Sequence, residues 1–175
     1  MNLVDELSKF DGKRTASLHG LAERLLNRKE NVSELIALAA SDRESIQSAA
    51  TWVLKNVNEL NYQFSKTQTN SLVRLLDKLT CWDAKLHVLQ ILPDLSLPAQ
   101  EYDTLHIHLK SFVTAENKFI RAWAYNGLAV LGDQQNSLRL EINSMLKQAQ
   151  QDPAPSVRAR VRNVCKSLGW ADLNG

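Results

Sequence analysis

The stretch SVRARVRNVCKSL (156–168) decides how the chain is read. Its apolar residues, Val157, Val161, Val164, Cys165 and Leu168, fall at offsets 0, 4, 7, 8 and 11 from the first. That spacing is the buried stripe of an α-helix. Working back along the chain, FIRAWAYNGLAVL (119–131), DAKLHVLQILPDL (83–95) and SIQSAATWVLKNV (45–57) align with it without gaps. The leading core positions are Ile46, Ala84, Ile120 and Val157, so the steps are 38, 36 and 37 residues. An earlier segment, Arg14 to Asn27, fits the template through Leu18, Leu21, Ala22 and Leu25. Ile120, Ala124, Leu128, Val157 and Val161 are thereby predicted to be core.

A second set of helices lies between these. Leu72, Leu105 and Leu138 are spaced by 33 residues, each followed at +4 by Leu76, Leu109 or Ile142 and at +7 by Leu79, Phe112 or Met145. A shorter relative runs from Val32 through Leu35, Ile36 and Ala39. Five outer-type helices thus alternate with four inner-type ones. Ser41-Asp42, Pro93 and Pro98, Gly132-Asp133 and Asp152-Pro153 punctuate them. Asn61 to Thr69 reads as the one long loop. Residues 3–10 (LVDELSKF) read as a capping helix, with Leu3, Leu7 and Phe10 over the first repeat; Trp170 and Leu173 are candidates to cap the other end. A lone helical hairpin cannot bury its stripe, so successive hairpins must stack. The expected fold is all-α, a right-handed α-α superhelix (α-solenoid) of about five hairpins. One domain would span 1–175: a cap over 1–12, repeats over 13–169 and a tail over 170–175.

Composition agrees. Of 175 residues, 44% are hydrophobic and 23% charged, which excludes a disordered or collagen-like chain. There are 28 Leu against 6 Gly and 4 Pro, too few breakers for a turn-rich β fold. The net charge of +2 makes no whole-chain case for nucleic acid or a membrane surface. Cys81 and Cys165 lie far apart without a metal-ligand spacing, the usage of a reducing compartment. The start, MNLVDELSKF, carries acids where a signal peptide needs bases, and no apolar stretch approaches a membrane span. A cytoplasmic protein is expected.

The turn wording and the period resemble HEAT repeats. DPAPSVRARVRNVCKSLG (152–169) is similar to that family's D-x-x-x-x-V-R…L-G pattern, and NKFIRAWAYNGLAVLGD (117–133) repeats it through Ile120-Arg121 and Leu131-Gly132. Ala84-Lys85 and Ile46-Gln47 occupy the V-R position in weaker copies. Armadillo repeats, with a longer period and an extra short helix, fit less well. The resemblance implies a non-enzymatic scaffold that binds another protein, with no cofactor and no metal.

Two enzymatic branches of HEAT-like proteins carry residues that this sequence can be compared with. Metal-dependent hydroxylases present His-Glu pairs, whereas here His19, His87, His106 and His108 are followed by Gly, Val, Ile and Leu. His106 and His108, two apart, point to different sides of a helix, and helical metal pairs need i, i+4. DNA glycosylases for alkylated bases use aromatic and acidic residues in a basic cleft. Trp123 reads instead as packing between repeats, and Trp52 as covered by Tyr62 and Phe64. No nucleophile turn, phosphate loop or dinucleotide fingerprint is present.

Arg158, Arg162 and Lys166 line one side of the last helix, with Arg160 on the opposite flank. They are candidate contacts for an anionic partner, nucleic acid being the alternative to protein. Arg158 also matches Arg121 and Lys85, and in HEAT-like arrays this basic residue bonds a turn acid of an adjacent repeat; Asp152 and Glu116 are available.

Inner helices line the concave side in HEAT-like proteins. Two positions after the core residue is about 200° round a helix, opposite the buried stripe. Those positions hold Glu34, Arg74, Ile107 and Leu140, with Lys78, Lys110, Ser144 and Lys147 nearby. Apolar residues recurring where polar ones are called for, among cations, suit a peptide or helix carrying acidic and apolar residues.

Overall fold

The computed structural model describes residues 2–12, 15–26 and 28–173, and among them every regular element is helical. The chain divides into two compact units, Met1–Ser96 and Leu97–Gly175. The first holds α1 (Leu3–Ser8), α2 (Ala16–Leu25), α3 (Lys29–Leu38), α4 (Glu44–Glu59), α5 (Lys66–Leu75) and α6 (Trp82–Ile91). The second holds α7 (Tyr102–Phe112), α8 (Lys118–Gln134), α9 (Arg139–Gln148) and α10 (Pro155–Cys165). All ten are anticipated by the two sets of stripes and the cap. Arg14 and Asn27, the expected limits of the first outer-type helix, lie outside the described residues.

In the first unit α4 is the hub, packed against α1, α2, α3 and α6. Its buried face is Ile46, Ala50, Val53, Leu54 and Val57, the stripe read from sequence. α1 starts where the Asn2 side chain accepts the Val4 N–H at 3.1 Å, and it buries Leu3 and Leu7 while Phe10 stays half-buried. The loop after α4 is shorter than expected. Asn61 takes a left-handed φ of 64°, a conformation Asn tolerates, and the Tyr62 N–H closes the helix on the Val57 carbonyl at 3.1 Å. Ser65 and Gln68 then form a capping box, so α5 begins at Lys66 rather than after Thr69. α6 stops at Ile91 because Pro93 cannot continue it, and a 3-10 turn follows over Leu92–Asp94.

In the second unit α8 is the hub, packed against α7, α9 and α10, with Ile120, Ala124, Leu128 and Leu131 buried. Val157 and Val161 of α10 are buried as well. The chain enters α9 through a 3-10 turn over Asn136–Leu138, which moves the helical phase. Ile142 is followed in the core by Leu146, at +4, while Leu138 and Met145 are half-buried. The tail folds back onto the unit. Trp170 lies against Gly132, where an added Cβ would stand 2.7 Å from the ring, so only glycine leaves room for the indole. The Trp170 N–H reaches the Asp133 carboxylate at 3.2 Å, and Arg139 stacks over the ring at 5.4 Å.

Candidate interaction surfaces of α3, α5, α7 and α9

In the first unit the sequence places small residues where α3 and α5 face each other. Ser33, Ala37 and Ala40 recur at i, i+4 and i+7 on α3 and just past its end; Thr67 and Ser71 do so on α5. Side chains this short cannot fill the space between the helices, and a cleft of about 290 Å³ remains. Ile36, Ala37, Ala40 and Leu75 supply its apolar part; Ser33, Thr67 and Ser71 supply hydroxyls. Two expected site residues, Arg74 and Lys78, belong to the lining, in which no carboxylate is found among the described residues. Gln68 ties the two walls: its amide donates to Ser33 Oγ at 3.0 Å and accepts the Ser65 N–H at 2.9 Å. Glu34 is exposed on α3 and is not part of the lining.

In the second unit Ile107 on α7 is 67% exposed and Leu140 on α9 is 86% exposed. Between them the helices are bridged by Lys110 and Glu141 at 2.6 Å, with His106 Nε2 3.7 Å from the other Glu141 oxygen. The Lys110 hydrogen bond holds the Glu141 carboxyl below its ordinary range. Sequence reasoning missed this carboxylate. Nothing in a helical period says which long side chain on one helix meets which on the next. Ser144 is exposed and Lys147 half-buried on the same helix.

Spacing differs between the two sets of helices. α2, α4 and α6 run in close contact, as do α8 and α10, whereas α3 and α5 approach less closely and α7 meets α9 chiefly through side chains.

The basic residues of α10 have separate environments. Arg158 donates to the carbonyls of Asp152 and Pro153, six and five residues back, so it secures its own turn. The side-chain acid is bound by Arg121, whose Nε and Nη2 reach Asp152 at 2.8 and 3.0 Å while Nη1 holds the Ala115 and Glu116 carbonyls. Arg160 stacks on Trp123 at 4.0 Å. Arg162 and Lys166 are exposed. Among the other aromatic residues, Trp52 meets His19 edge-on at 4.7 Å, and Tyr62 pairs with Phe64 at 5.1 Å.

A polar seam joins α4 to α6. Gln47, in the position equivalent to Arg121, donates to the Ser41 and Lys78 carbonyls at 2.8 and 3.3 Å and accepts the Thr80 N–H at 3.0 Å. Ser48 donates to Asp83, and Thr51 Oγ1 meets His87 Nδ1 at 3.1 Å. With the Thr51 hydroxyl proton directed at the Gln47 carbonyl, the imidazole N–H is the donor in that contact. Burial pushes His87 down to about 4, so the ring is neutral at pH 7, and burial also pushes the Cys81 thiol up to about 11. A protonated thiol and a neutral, hydrogen-bonded imidazole make a packed seam; among the described residues no group of three or more His, Cys, Asp or Glu is placed to hold a metal. A histidine whose pKa is lower when folded stabilises the fold above its unfolded value, near 6.5. That stabilisation drains away as the pH falls from about 6.5 to about 4. The expected loss is on the order of 2 kcal/mol. Urea melts at pH 7 and pH 4.5 should show it in wild type and show less of it in His87→Gln. An equal loss in both proteins would assign the acid sensitivity elsewhere.

No protein-family model matches this chain, and a search of curated proteins finds no relative. No helix is long and apolar enough to cross a membrane among the described residues.

Proposed function

We propose that this chain is a non-enzymatic scaffold of HEAT-like repeats, an α-solenoid working in the cytoplasm, that docks a peptide or helix of another protein. The docking surface is the concave face of that solenoid, with Arg74, Lys78, Ile107, Lys110, Leu140, Ser144 and Lys147 as its contacts. The observation that carries this reading is the exposure of Ile107 and Leu140, 67% and 86%, at equivalent places in two successive repeats. Both sit mid-face on regular helices where packing asks for nothing apolar, and paired exposed aliphatics mark a contact surface. The cations on and beside these helices, Arg74, Lys78 and Lys147, with Lys110 shared with Glu141, favour a partner that carries acidic and apolar residues.

Nucleic acid is the weaker alternative. It would rest on α10, where Arg158 is engaged with its turn and Arg160 with Trp123. Two exposed cations, Arg162 and Lys166, make a small electrostatic footprint.

The test is affinity purification from the native cell with wild type and with the Ile107→Asp/Leu140→Asp double variant. The variant should keep its helical spectrum and melting temperature, because both positions are solvent-facing, and it should lose a specific partner. An unchanged partner list from a folded variant removes the proposal. Titration with duplex DNA and RNA at two salt concentrations checks the alternative, which requires low-salt binding that weakens as salt rises.

A further inference from the structure

One carboxylate stands between two bases where α7 meets α9. Lys110 Nζ lies 2.6 Å from Glu141 Oε1, both side chains being about half exposed. His106 Nε2 lies 3.7 Å from Glu141 Oε2, on a side chain only 11% exposed. We propose that the three form a proton-operated clamp: a proton on His106 Nε2 draws in Glu141 and ties α7 to α9 more firmly in mildly acidic solution. The docking reading is needed only for what the clamp regulates, since His106 adjoins Ile107 and Glu141 adjoins Leu140.

His106 Nε2 is buried and has no hydrogen-bond partner. At 3.7 Å the carboxylate is within ion-pair range but too far for a hydrogen bond. A polar atom buried in this way costs free energy, so the site is one bond short while the ring is neutral. A proton from solvent makes both ring nitrogens donors and adds a positive charge. A movement of about 1 Å then turns the approach into a charge-assisted bond between the helices. Glu141 keeps Lys110 through Oε1, because a carboxylate accepts at both oxygens. Lys110 also holds that carboxyl below its ordinary range, so Glu141 is ionised before the imidazole gives up its proton. The pair exists only with the ring protonated. Its stabilisation is therefore present in mild acid and is lost as the pH rises.

The other charged and titratable groups around α7 are turned to different work. On α7 itself, Asp103 is exposed one turn before the ring, Tyr102 reaches the Gln134 carbonyl at 3.5 Å and His108 stacks on Phe112 at 6.4 Å. α7 packs against α8 and the 3-10 turn Ala99–Glu101. Glu101 in that turn is buried and has an interaction of its own. On α8, Arg121 binds Asp152, Tyr125 lies in the field of that pair, Lys118 stands over the Phe119 ring and Asp133 takes the Trp170 N–H. On α9, Arg139 holds the Gly132 carbonyl and Lys147 sits in the last turn. Glu141 supplies the negative charge at the buried ring nitrogen.

The experiment is a double-mutant cycle on the full chain with His106→Gln, Glu141→Gln and both together, read by urea melts at pH 5.5 and pH 8. The lower value lies below the ordinary imidazole pKa and above the ordinary carboxylate one. Groups elsewhere that titrate between them, His87 included, cancel in the cycle. The two positions should be coupled by at least about fivefold in the unfolding constant at pH 5.5 and by less than about twofold at pH 8. Wild type alone gives a second reading. With carbon-13 and nitrogen-15 labels, the Glu141 carboxyl carbon should shift in the same pH step as the His106 ring nitrogens.

Equal coupling at the two pH values, coupling larger at pH 8, or no coupling at either would overturn the clamp. So would a Glu141 signal indifferent to the His106 step, a result that needs no variant to fold. The two readings fail separately. Partner loss in Ile107→Asp/Leu140→Asp with no acid-dependent coupling removes this inference and leaves the docking surface. Coupling that appears in acid, with partners retained by that variant, removes the docking surface and leaves the clamp.

Discussion

Arg121→Ala is expected to destabilise the second unit by about 3 kcal/mol. An exposed ion pair contributes about 0–1 kcal/mol, and breaking a buried one costs about 3–5 kcal/mol. The Arg121 and Asp152 side chains are 14% and 8% exposed and bonded through two nitrogens, so the pair belongs near the buried end of that range. Removing the guanidinium does more than cut one bridge. Asp152 keeps only the Ala154 N–H at 2.8 Å, and the Ala115 and Glu116 carbonyls lose their shared donor. Arg121 holds the Asp152 carboxyl below its ordinary range, so the pair's contribution is present at neutral pH and is lost as the pH falls through the acid range. Urea melts of Arg121→Ala, Asp152→Ala and the double variant test this. Each single change should cost several times an exposed pair, and the cycle should show coupling above about 1 kcal/mol. Losses below about 1 kcal/mol with additive single effects would mean that solvent screens the pair after all.

Leu128→Ala should cost about 2–5 kcal/mol, and at the size of this unit that lowers its melting temperature by roughly 10 °C or more. Leu128 is fully buried in α8, the helix against which α7, α9 and α10 all pack, so its truncation leaves a cavity in the core of the unit. Leu140→Ala is the matched control. It deletes the same atoms from a side chain that is 86% exposed and should change stability by no more than about 0.5 kcal/mol. Circular dichroism melts of the two variants report the contrast directly. Comparable losses at both positions would mean that the assigned phase of α8 or α9 is wrong.

The helices themselves were legible because burial imposes a period on the chain. Val157, Val161 and Cys165 on α10, and Ile46, Ala50 and Val53 on α4, announce their buried faces without any knowledge of what covers them. Departures came where a local device outweighed the period. The Ser65–Gln68 capping box pulled α5 forward, Pro93 ended α6 early, and the 3-10 turn before Arg139 moved the core position from Met145 to Leu146.

The candidate surfaces divide in the same way. That Ile107 and Leu140 face away from the core follows from phase alone. That Arg74 and Lys78 share a cleft with Ser33 and Ala37 does not, since it depends on how far α3 stands from α5. Gln47 reads in sequence as a weak copy of the V-R position, yet it bonds the residue 31 places ahead, Lys78, just as Arg121 bonds Asp152. The Lys110–Glu141 bridge had no sequence signal of its own, and Trp170, which reads as a cap, gave no sign of its seat on Gly132. By itself the sequence determined the all-helical class and the number, order and buried faces of the helices, because hydrophobic burial acts on each helix as a one-dimensional pattern. Tertiary structure decided which polar side chains are already paired and where a cleft stays open. Those outcomes turn on differences of a few ångströms between helices, and residue spacing along one chain carries no measure of them.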